Sequence, residues 1–312
     1  MKNKNVLVTG GGGMVAQQLV RLLKEEGANV TTVDLPTSGI PADIQGDLRD
    51  RSFCKEIVKE QQIIFNLAGL KGSPQRCAEA PATFSVPQVQ FGANMAEISF
   101  NSNIEWYLYT SSYGIYAPTD IMKEDDVWKT FPSENDWYAG WAKRMGELNV
   151  EAYMKEKGSN NCSIVRPANV YGPYDNAIFD EWAMVVPSLI RKGYNDDVLE
   201  VWGDGSPIRD FIYSEDVARG MLHMVKNKVS EPVNLGSGTG VTIKEVAEIV
   251  ANYFGKEIKW DTTKPMGDMK RVMSTERAES YGFNPQISLK DGIIKTIEWY
   301  EKELQNGSRQ QN

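Results

Sequence analysis

Residues 5–35, NVLVTGGGGMVAQQLVRLLKEEGANVTTVDL, decide how the rest of the chain is read. NVLVTG is a short apolar run of strand type. A glycine loop leads from it into an amphipathic helical pattern, and ANVTTVDL is a second strand. Strand, loop, helix and strand in that order open a doubly wound parallel sheet, so the expected fold is a Rossmann-like α/β protein. Gly10, Gly13 and Ala16 form a G-x-x-G-x-x-A spacing between strand and helix. Glycines there allow a tight turn and let the backbone N–H groups around Gly13, Met14 and Val15 approach a pyrophosphate at the helix N-terminus. Four consecutive glycines also suit a flexible turn. The strand before, the helix after and an acid at the end of the second strand, Asp34, point to a dinucleotide. Asp34 can accept both adenosine ribose hydroxyls and would repel a 2′-phosphate, which favours NAD over NADP. Gly12 supplies no arginine to offset that repulsion.

The alternation continues outward. A helix RDRSFCKEIVKEQ, a strand QIIFNLAG, a helix around PQVQFGANMAEISFNSN and a strand IEWYLYTSS follow. After a loop from Tyr113 to about Asn135 come a long helix and the strand CSIVRPANVYG. The expected division is an NAD-binding domain over residues 1–168, to which 210–228 returns, and a smaller lobe over 169–312 that closes over the cleft. In that lobe LEVWGDG and EPVNLGSG read as short strands.

The net charge of −8 argues against a nucleic-acid surface, since phosphate neutralisation needs clustered Lys and Arg. Cys54, Cys77 and Cys162 are widely spaced, with neither metal spacing nor a paired framework, as expected in a reducing cytoplasm. No signal peptide or membrane-spanning run is legible. His223, the single histidine, falls in a helical pattern, which nearly excludes histidine triads and multi-histidine metal sites.

Further segments carry a family likeness. GDLRD, with Asp47 and Leu48, resembles an adenine-contacting turn, and NLAG, with Leu67, Ala68 and Gly69, a strand end beside the cofactor ribose. TSSYGIY, the helix containing Lys143, and VRPANVYGP, with Pro167, follow in the same order. Nearly the whole chain resembles an extended short-chain dehydrogenase/reductase of the NAD-dependent nucleotide-sugar epimerase/dehydratase family. VWGDGSPIRDFIYSEDVARG and KWDTTKPMGDMKR are similar to the GDP-fucose synthase and sugar-nucleotide epimerase branch.

The resemblance implies a hydroxyl residue, a tyrosine and a lysine acting together at a sugar hydroxyl while NAD exchanges hydride. The hydroxyl residue is Ser112, four before Tyr116, and the lysine, which also binds the nicotinamide ribose, is Lys143. The acid pair of the dehydratases is replaced by Tyr113 and Gly114. The cysteine and histidine of the epimerase-reductases are replaced by Gly114 and Met184. The tyrosine slot, four before Lys143, holds Ala139, and the nearest tyrosine is Tyr138, about 100° round the helix. Three readings stay open: a deliberately disabled base; a natural enzyme using Tyr113, or Tyr138 brought in by an irregular first turn or π insertion; or a protein that binds nucleotide sugars without turnover. Trp137 and Trp141 are read as packing groups.

The same resemblance places Asn169, Arg209, Lys264 and Arg271 at the substrate's nucleotide, with guanidinium forks suited to its diphosphate. Trp202 is read as covering the base or packing in the smaller lobe, with packing preferred. The sequence as a whole reads as an NAD-dependent nucleotide-sugar epimerase acting through a transient keto-sugar, most simply at C4 and on a GDP-sugar, and dimeric as the family implies. A nucleotide-4-keto-sugar reductase or dehydrogenase and a non-catalytic nucleotide-sugar-binding protein are the alternatives.

Overall fold

The computed structural model describes residues 1–38, 41–70, 72, 74–179, 183–264 and 266–307. The opening stretch folds as β1 (Asn5–Thr9), α1 (Met14–Glu25) and β2 (Asn29–Asp34). Four of the five β1 residues are buried, as a central strand covered on both faces requires. Ala16, Leu19 and Leu23 form the buried stripe of α1. There follow β3 (Ile44–Gln45), α2 (Arg51–Val58), β4 (Ile63–Asn66), α3 (Pro74–Glu79), α4 (Pro81–Phe100) and β5 (Trp106–Thr110). The α4 helix begins earlier than its sequence pattern suggests. Pro81 occupies the first turn, where a missing N–H costs nothing, and Pro87 lies inside the helix. Next come α5 (Trp137–Lys157), β6 (Cys162–Pro167), β7 (Asn169–Tyr171), α6 (Val185–Asn195), β8 (Val198–Trp202) and β9 (Ile208–Tyr213). The chain ends through α7 (Ser214–Lys226), β10 (Pro232–Leu235), β11 (Gly240–Thr242), α8 (Ile243–Phe254), β12 (Glu257–Asp261), β13 (Lys270–Arg271), α9 (Glu276–Ser280) and α10 (Leu289–Gln305).

The main sheet has seven parallel strands in the order β10-β6-β5-β4-β1-β2-β3. From β1 the chain winds one way to β2 and β3, then the other way to β4, β5 and β6. The crevice beyond the carboxyl ends of β1 and β4 is therefore the topological switch point, where doubly wound sheets bind ligands. One apolar layer, with α1 and α7, covers one face, and α2, α4 and α5 cover the other. Residues 232–235, read from sequence as a strand of the smaller lobe, instead pair with β6 as the seventh strand of this sheet. The α7 helix packs along α1, so the chain emerging from it is delivered to the open edge at β6.

A third apolar cluster lies beneath β9, α6, α8 and α10. There β9 pairs with β7, β11 and β13, and β8 pairs with β12. Asp210, buried in β9, accepts from the N–H groups of Ser237, Gly238 and Met273 and from Ser237 Oγ, which anchors the loops around that strand. Burial pushes its carboxyl upward, against those four donors. Under α5, Glu147 and Arg166 form a fully buried, two-pronged ion pair (2.9 and 2.7 Å). Arg166 also donates to Tyr116 Oη, and Arg144 donates to the carbonyls of Ile115 and Thr130, so the loop after β5 is tied to α5. Among the described residues no helix is long and apolar enough to cross a membrane, and no cluster of metal-ligating side chains occurs.

Candidate active site

The glycine loop has the geometry of a dinucleotide cradle. Gly10 adopts φ +68°, and a Cβ on it would lie 3.0 Å from Leu67 O and 3.1 Å from Ala68 Cα, so the loop presses against the end of β4. Gly13 is the N-cap of α1 and has no side chain to occupy the first-turn N–H groups that Met14 and Val15 begin. Asp34 Oδ2 accepts from Gly12 N at 2.7 Å, and its Oδ1 accepts from Leu35 N at 2.7 Å, so the acid lies against the glycine loop. Thr9 Oγ1 links Asn66 and the N–H of Ala68, ordering the strand end that continues to Gly69. Gln88 of α4 is buried, its Oε1 is 3.7 Å from a Cβ position on Gly69, and its Nε2 has no protein partner. A backbone anion cradle, a ribose-type acid and an orphaned buried donor in one crevice fit NAD. Asp47 is turned outward into a two-pronged ion pair with Arg49, which holds its carboxyl below the usual range. Leu48 beside it is buried, and its carbonyl accepts from Asn94. Pro167 ends β6 beside Ala168, whose N–H donates to Leu235 O.

Two glycines bring α5 down on this crevice. A Cβ on Gly140 would sit 2.5 Å from Gly114 O, and one on Gly146 would sit 1.9 Å from Tyr109 Oη. Glycine inside a helix costs about 1 kcal/mol against alanine. Here it permits contact between the helix and the segment 109–114. Lys143, between the two, thereby donates to Thr110 O at 2.8 Å, and its Nζ lies 3.6 Å from a Cβ position on Gly69. Burial drives the Lys143 ammonium down to about 8, against the pull of Glu147 one turn on. Ser112 follows β5, and its Oγ accepts from Gly114 N at 3.1 Å. The structure thus gathers Ser112, Lys143, Gly69 and the glycine loop into one crevice.

It does not bring Tyr138 there. The α5 helix is α-helical from Trp137 onward with no π turn, and Tyr138 is 53% exposed and off the Lys143 face. An irregular first turn swinging this tyrosine inward is therefore not what the chain forms. Trp137 and Trp141 pack edge-to-face at 6.0 Å and both contact Phe131, forming an aromatic cluster in which Trp137 and Phe131 stay exposed. Ala139, half-buried, occupies the face above Lys143 with a single methyl group.

The cations expected at the nucleotide fall in two groups. Arg209 on β9 and Arg271 on β13 are paired residues of adjacent parallel strands, so both side chains leave the same face. Like charges directly opposite one another destabilise a sheet, and here Asp136 and Asp268 lie beside Arg271. Arg209 donates to the backbone carbonyls of Ile208 (2.9 Å) and Met266 (3.4 Å), and burial lowers its guanidinium from the ordinary value. Arg271 is 5% exposed. It donates to Asp136 Oδ2 and lies over the Tyr113 ring at 4.7 Å, while its Nε is 3.5 Å from Asp268 Oδ2. Its Nη2 is buried with no hydrogen-bond partner. Burial opposes its charge, yet Asp136, Tyr113 and Asp268 hold the guanidinium above its ordinary value. Tyr113 is pushed up to about 12 by burial and Asp136, against Arg271 and Arg209. Asn169 donates to Asp210 O at 2.9 Å on the same strand system. Lys264 stands apart from the two arginines. Its Nζ is 5.3 Å from the centre of the Trp202 ring, with Lys192 at 5.9 Å, and Trp202 is 47% exposed. Trp202 is therefore not the packing group expected of it, because the β8–β12 pair ends there and leaves its ring uncovered.

A parallel sheet with a glycine-rich first turn, a ribose-type acid at the end of the second strand and a buried lysine at the switch point defines the dinucleotide-binding class of doubly wound proteins. The chain belongs to the NAD-dependent epimerase/dehydratase family, whose pattern matches residues 6–236. It is 33% identical over 310 residues to a GDP-L-fucose synthase of Sinorhizobium fredii, covering 96% of each chain. It also superposes, at TM-score 0.83 and 25% identity, on the UDP-glucose 4-epimerase of Thermotoga maritima with UDP-glucose, covering 96% of this chain and 99% of that one. MoeE5 in complex with UDP-glucose and NAD gives TM-score 0.82 at 26% identity, with 96% and 99% covered.

Two features were not legible in sequence. Asp136 gave no motif, and its proximity to Gly114 and Arg271 depends on tertiary packing. The direct pairing of Arg209 with Arg271 depends on strand register.

Proposed function

We propose that the chain is an NAD-dependent nucleotide-sugar epimerase that takes a sugar hydroxyl, at C4, to a transient ketone and back with inverted configuration. The observation that carries this reading is the pairing of Arg209 with Arg271, with Arg271 stacked on Tyr113, the residue that follows Ser112. Two guanidinium groups on one sheet face, one with a buried unused donor, suit a diphosphate, and Ser112 is the hydroxyl assigned to the attached sugar. Asn169 lies at the substrate side of the same strands, and Lys264 beside the exposed Trp202 face suits the nucleoside. The names of the relatives favour guanosine as that nucleoside. Asp34 supports NAD over NADP, and NAD that is regenerated within each turnover suits epimerisation better than net reduction. When bound, the nicotinamide supplies the hydride acceptor. Ser112 holds the reacting hydroxyl, and Lys143 holds the ribose and supplies positive charge beside the forming ketone oxygen.

A second reading, a nucleotide-4-keto-sugar reductase, is favoured by a relative, 27% identical, named dTDP-4-dehydro-6-deoxy-D-allose reductase. NMR-monitored turnover of a nucleotide-sugar panel with NAD, and of the corresponding 4-keto-sugars with NADH, for this chain beside Ala139→Tyr, separates the readings. Epimerisation leaves nicotinamide absorbance unchanged, whereas reduction changes it stoichiometrically. Binding without product from either chain would mark a non-catalytic nucleotide-sugar protein.

Lys143 adds a pH test. Its ammonium is charged below about 8 and neutral above, so NAD affinity is expected to fall as pH rises through that value. Calorimetric titration at pH 7 and pH 9 checks this, and Lys143→Met should bind more weakly with no such dependence. A pH-independent wild type would remove Lys143 from the ribose.

A cofactor layer to about residue 168 and a substrate lobe beyond it follow the division of the apolar clusters, with α7 and β10 returning to the first. A homodimer through α4 and α5 is supported by exposed Val86 and Val89 on one helix and Met145 and Leu148 on the other. A reducing cytoplasm suits three free cysteines, two of them buried.

A further inference from the structure

We propose that Asp136 is the proton-transferring residue of this site, acting where the chain has alanine in place of a tyrosine. Asp136 is the N-cap of α5, three residues before Ala139 and seven before Lys143. Seven residues make nearly two full turns, so it lies on the helix face that carries Lys143, about 4.5 Å of rise beyond Ala139. Its carboxylate sits against the turn that follows Ser112. A Cβ on Gly114 would be 3.4 Å from Asp136 Cγ and 3.5 Å from Oδ1, while Gly114 N donates to Ser112 Oγ. A single residue without a side chain thus separates the hydroxyl of Ser112 from the carboxylate of Asp136. The two carboxylate oxygens have different surroundings. Oδ2 accepts from Arg271, whereas Oδ1 accepts from no donor among the described residues.

The position follows from the path of the ligand. A diphosphate on Arg209 and on the unused Nη2 of Arg271 places its sugar between those arginines and Ser112. Asp136 bridges the same two points, touching Arg271 at one and Gly114 at the other. Tyr138 is exposed off this face, and Tyr113 is covered by Arg271. In the oxidising direction the hydroxyl O–H and the C–H on the same carbon break and C=O forms. The proton passes to Asp136 Oδ1, and the hydride to the oxidised nicotinamide. The reverse step returns both.

Asp136 takes this role only if the chain turns over a nucleotide sugar, as proposed above, and the experiment separates the two claims. Wild type, Asp136→Asn, Asp136→Glu and Ala139→Tyr are assayed by NMR with NAD and the nucleotide-sugar panel, and GDP and UDP binding is measured by calorimetry. Asparagine keeps an oxygen for Arg271, so Asp136→Asn is expected to lower kcat by about 10²–10⁴-fold. Affinity for the better-bound nucleoside diphosphate should change less than about threefold, and Asp136→Glu should recover part of kcat. An unchanged kcat in Asp136→Asn overturns the assignment. So does a loss of nucleoside diphosphate affinity matching the loss of turnover, which would leave Asp136 only as a holder of Arg271. A silent wild type beside an active Ala139→Tyr keeps the functional reading and overturns Asp136. Silence from both overturns both.

Discussion

Arg271→Met is expected to weaken binding of a nucleotide sugar by about 10²–10⁴-fold. A hydrogen bond to a charged group contributes about 1.5–3 kcal/mol, a guanidinium offers two to a phosphate, and 1.4 kcal/mol is a factor of ten. Arg271 is nearly fully buried, and its Nη2 has no protein partner to lose. Its removal also strands Asp136 and Asp268, so stability should fall by roughly 3–5 kcal/mol, the usual cost of breaking a buried pair. Arg209→Met isolates the ligand contribution, because Arg209 donates within the protein to backbone carbonyls alone. It should cost affinity by about 10–100-fold with little change in melting temperature. Calorimetry with GDP and UDP, beside thermal unfolding, measures both quantities. Unchanged affinity in both variants would place the diphosphate elsewhere.

Gly10→Val should abolish NAD binding, with at least a hundredfold loss in titration. At φ +68° a β-branched residue is strained by about 1–3 kcal/mol, and its Cβ would press on Leu67 O and Ala68. The loop would have to move off β4, carrying with it the α1 N-terminus and the Gly12 N–H that holds Asp34. Unfolding temperature should drop as well, so circular dichroism is needed to show that the loss of binding occurs in a folded protein. Binding retained by a folded Gly10→Val would exclude this loop as the pyrophosphate cradle.

Much of this was legible before folding because it is encoded over short distances. The periodicity of residues 5–35 and the repeated strand–helix alternation describe how each segment buries its own apolar face, and neighbouring segments obey the handedness of parallel connections. Asp34 was found from its place at the end of the second strand, and Ser112 and Lys143 from short contiguous motifs that resemble those of the family. The misplaced Tyr138 was likewise a within-helix inference, and regular α5 geometry carries it through unchanged.

What depended on distant segments was not legible. EPVNLGSG has the pattern of any short buried strand, and only the open edge at β6 assigns it to the main sheet. Nothing local distinguishes Asp136 from the other acids between Glu124 and Asp136. Its significance comes from Gly114 and Gly140, which let α5 close on the turn after Ser112, and from Arg271 arriving on β13. Trp202 looked like a core aromatic, and its exposure follows from where the β8–β12 pair ends. By itself, then, the sequence determined the doubly wound sheet, the cofactor loop and the lysine helix, since backbone periodicity and glycine conformation are properties of a segment. The pairing of Arg209 with Arg271 and the placing of Asp136 beside Ser112 were decided by the tertiary structure, because strand register and helix approach are set by the packing of surfaces remote in the chain.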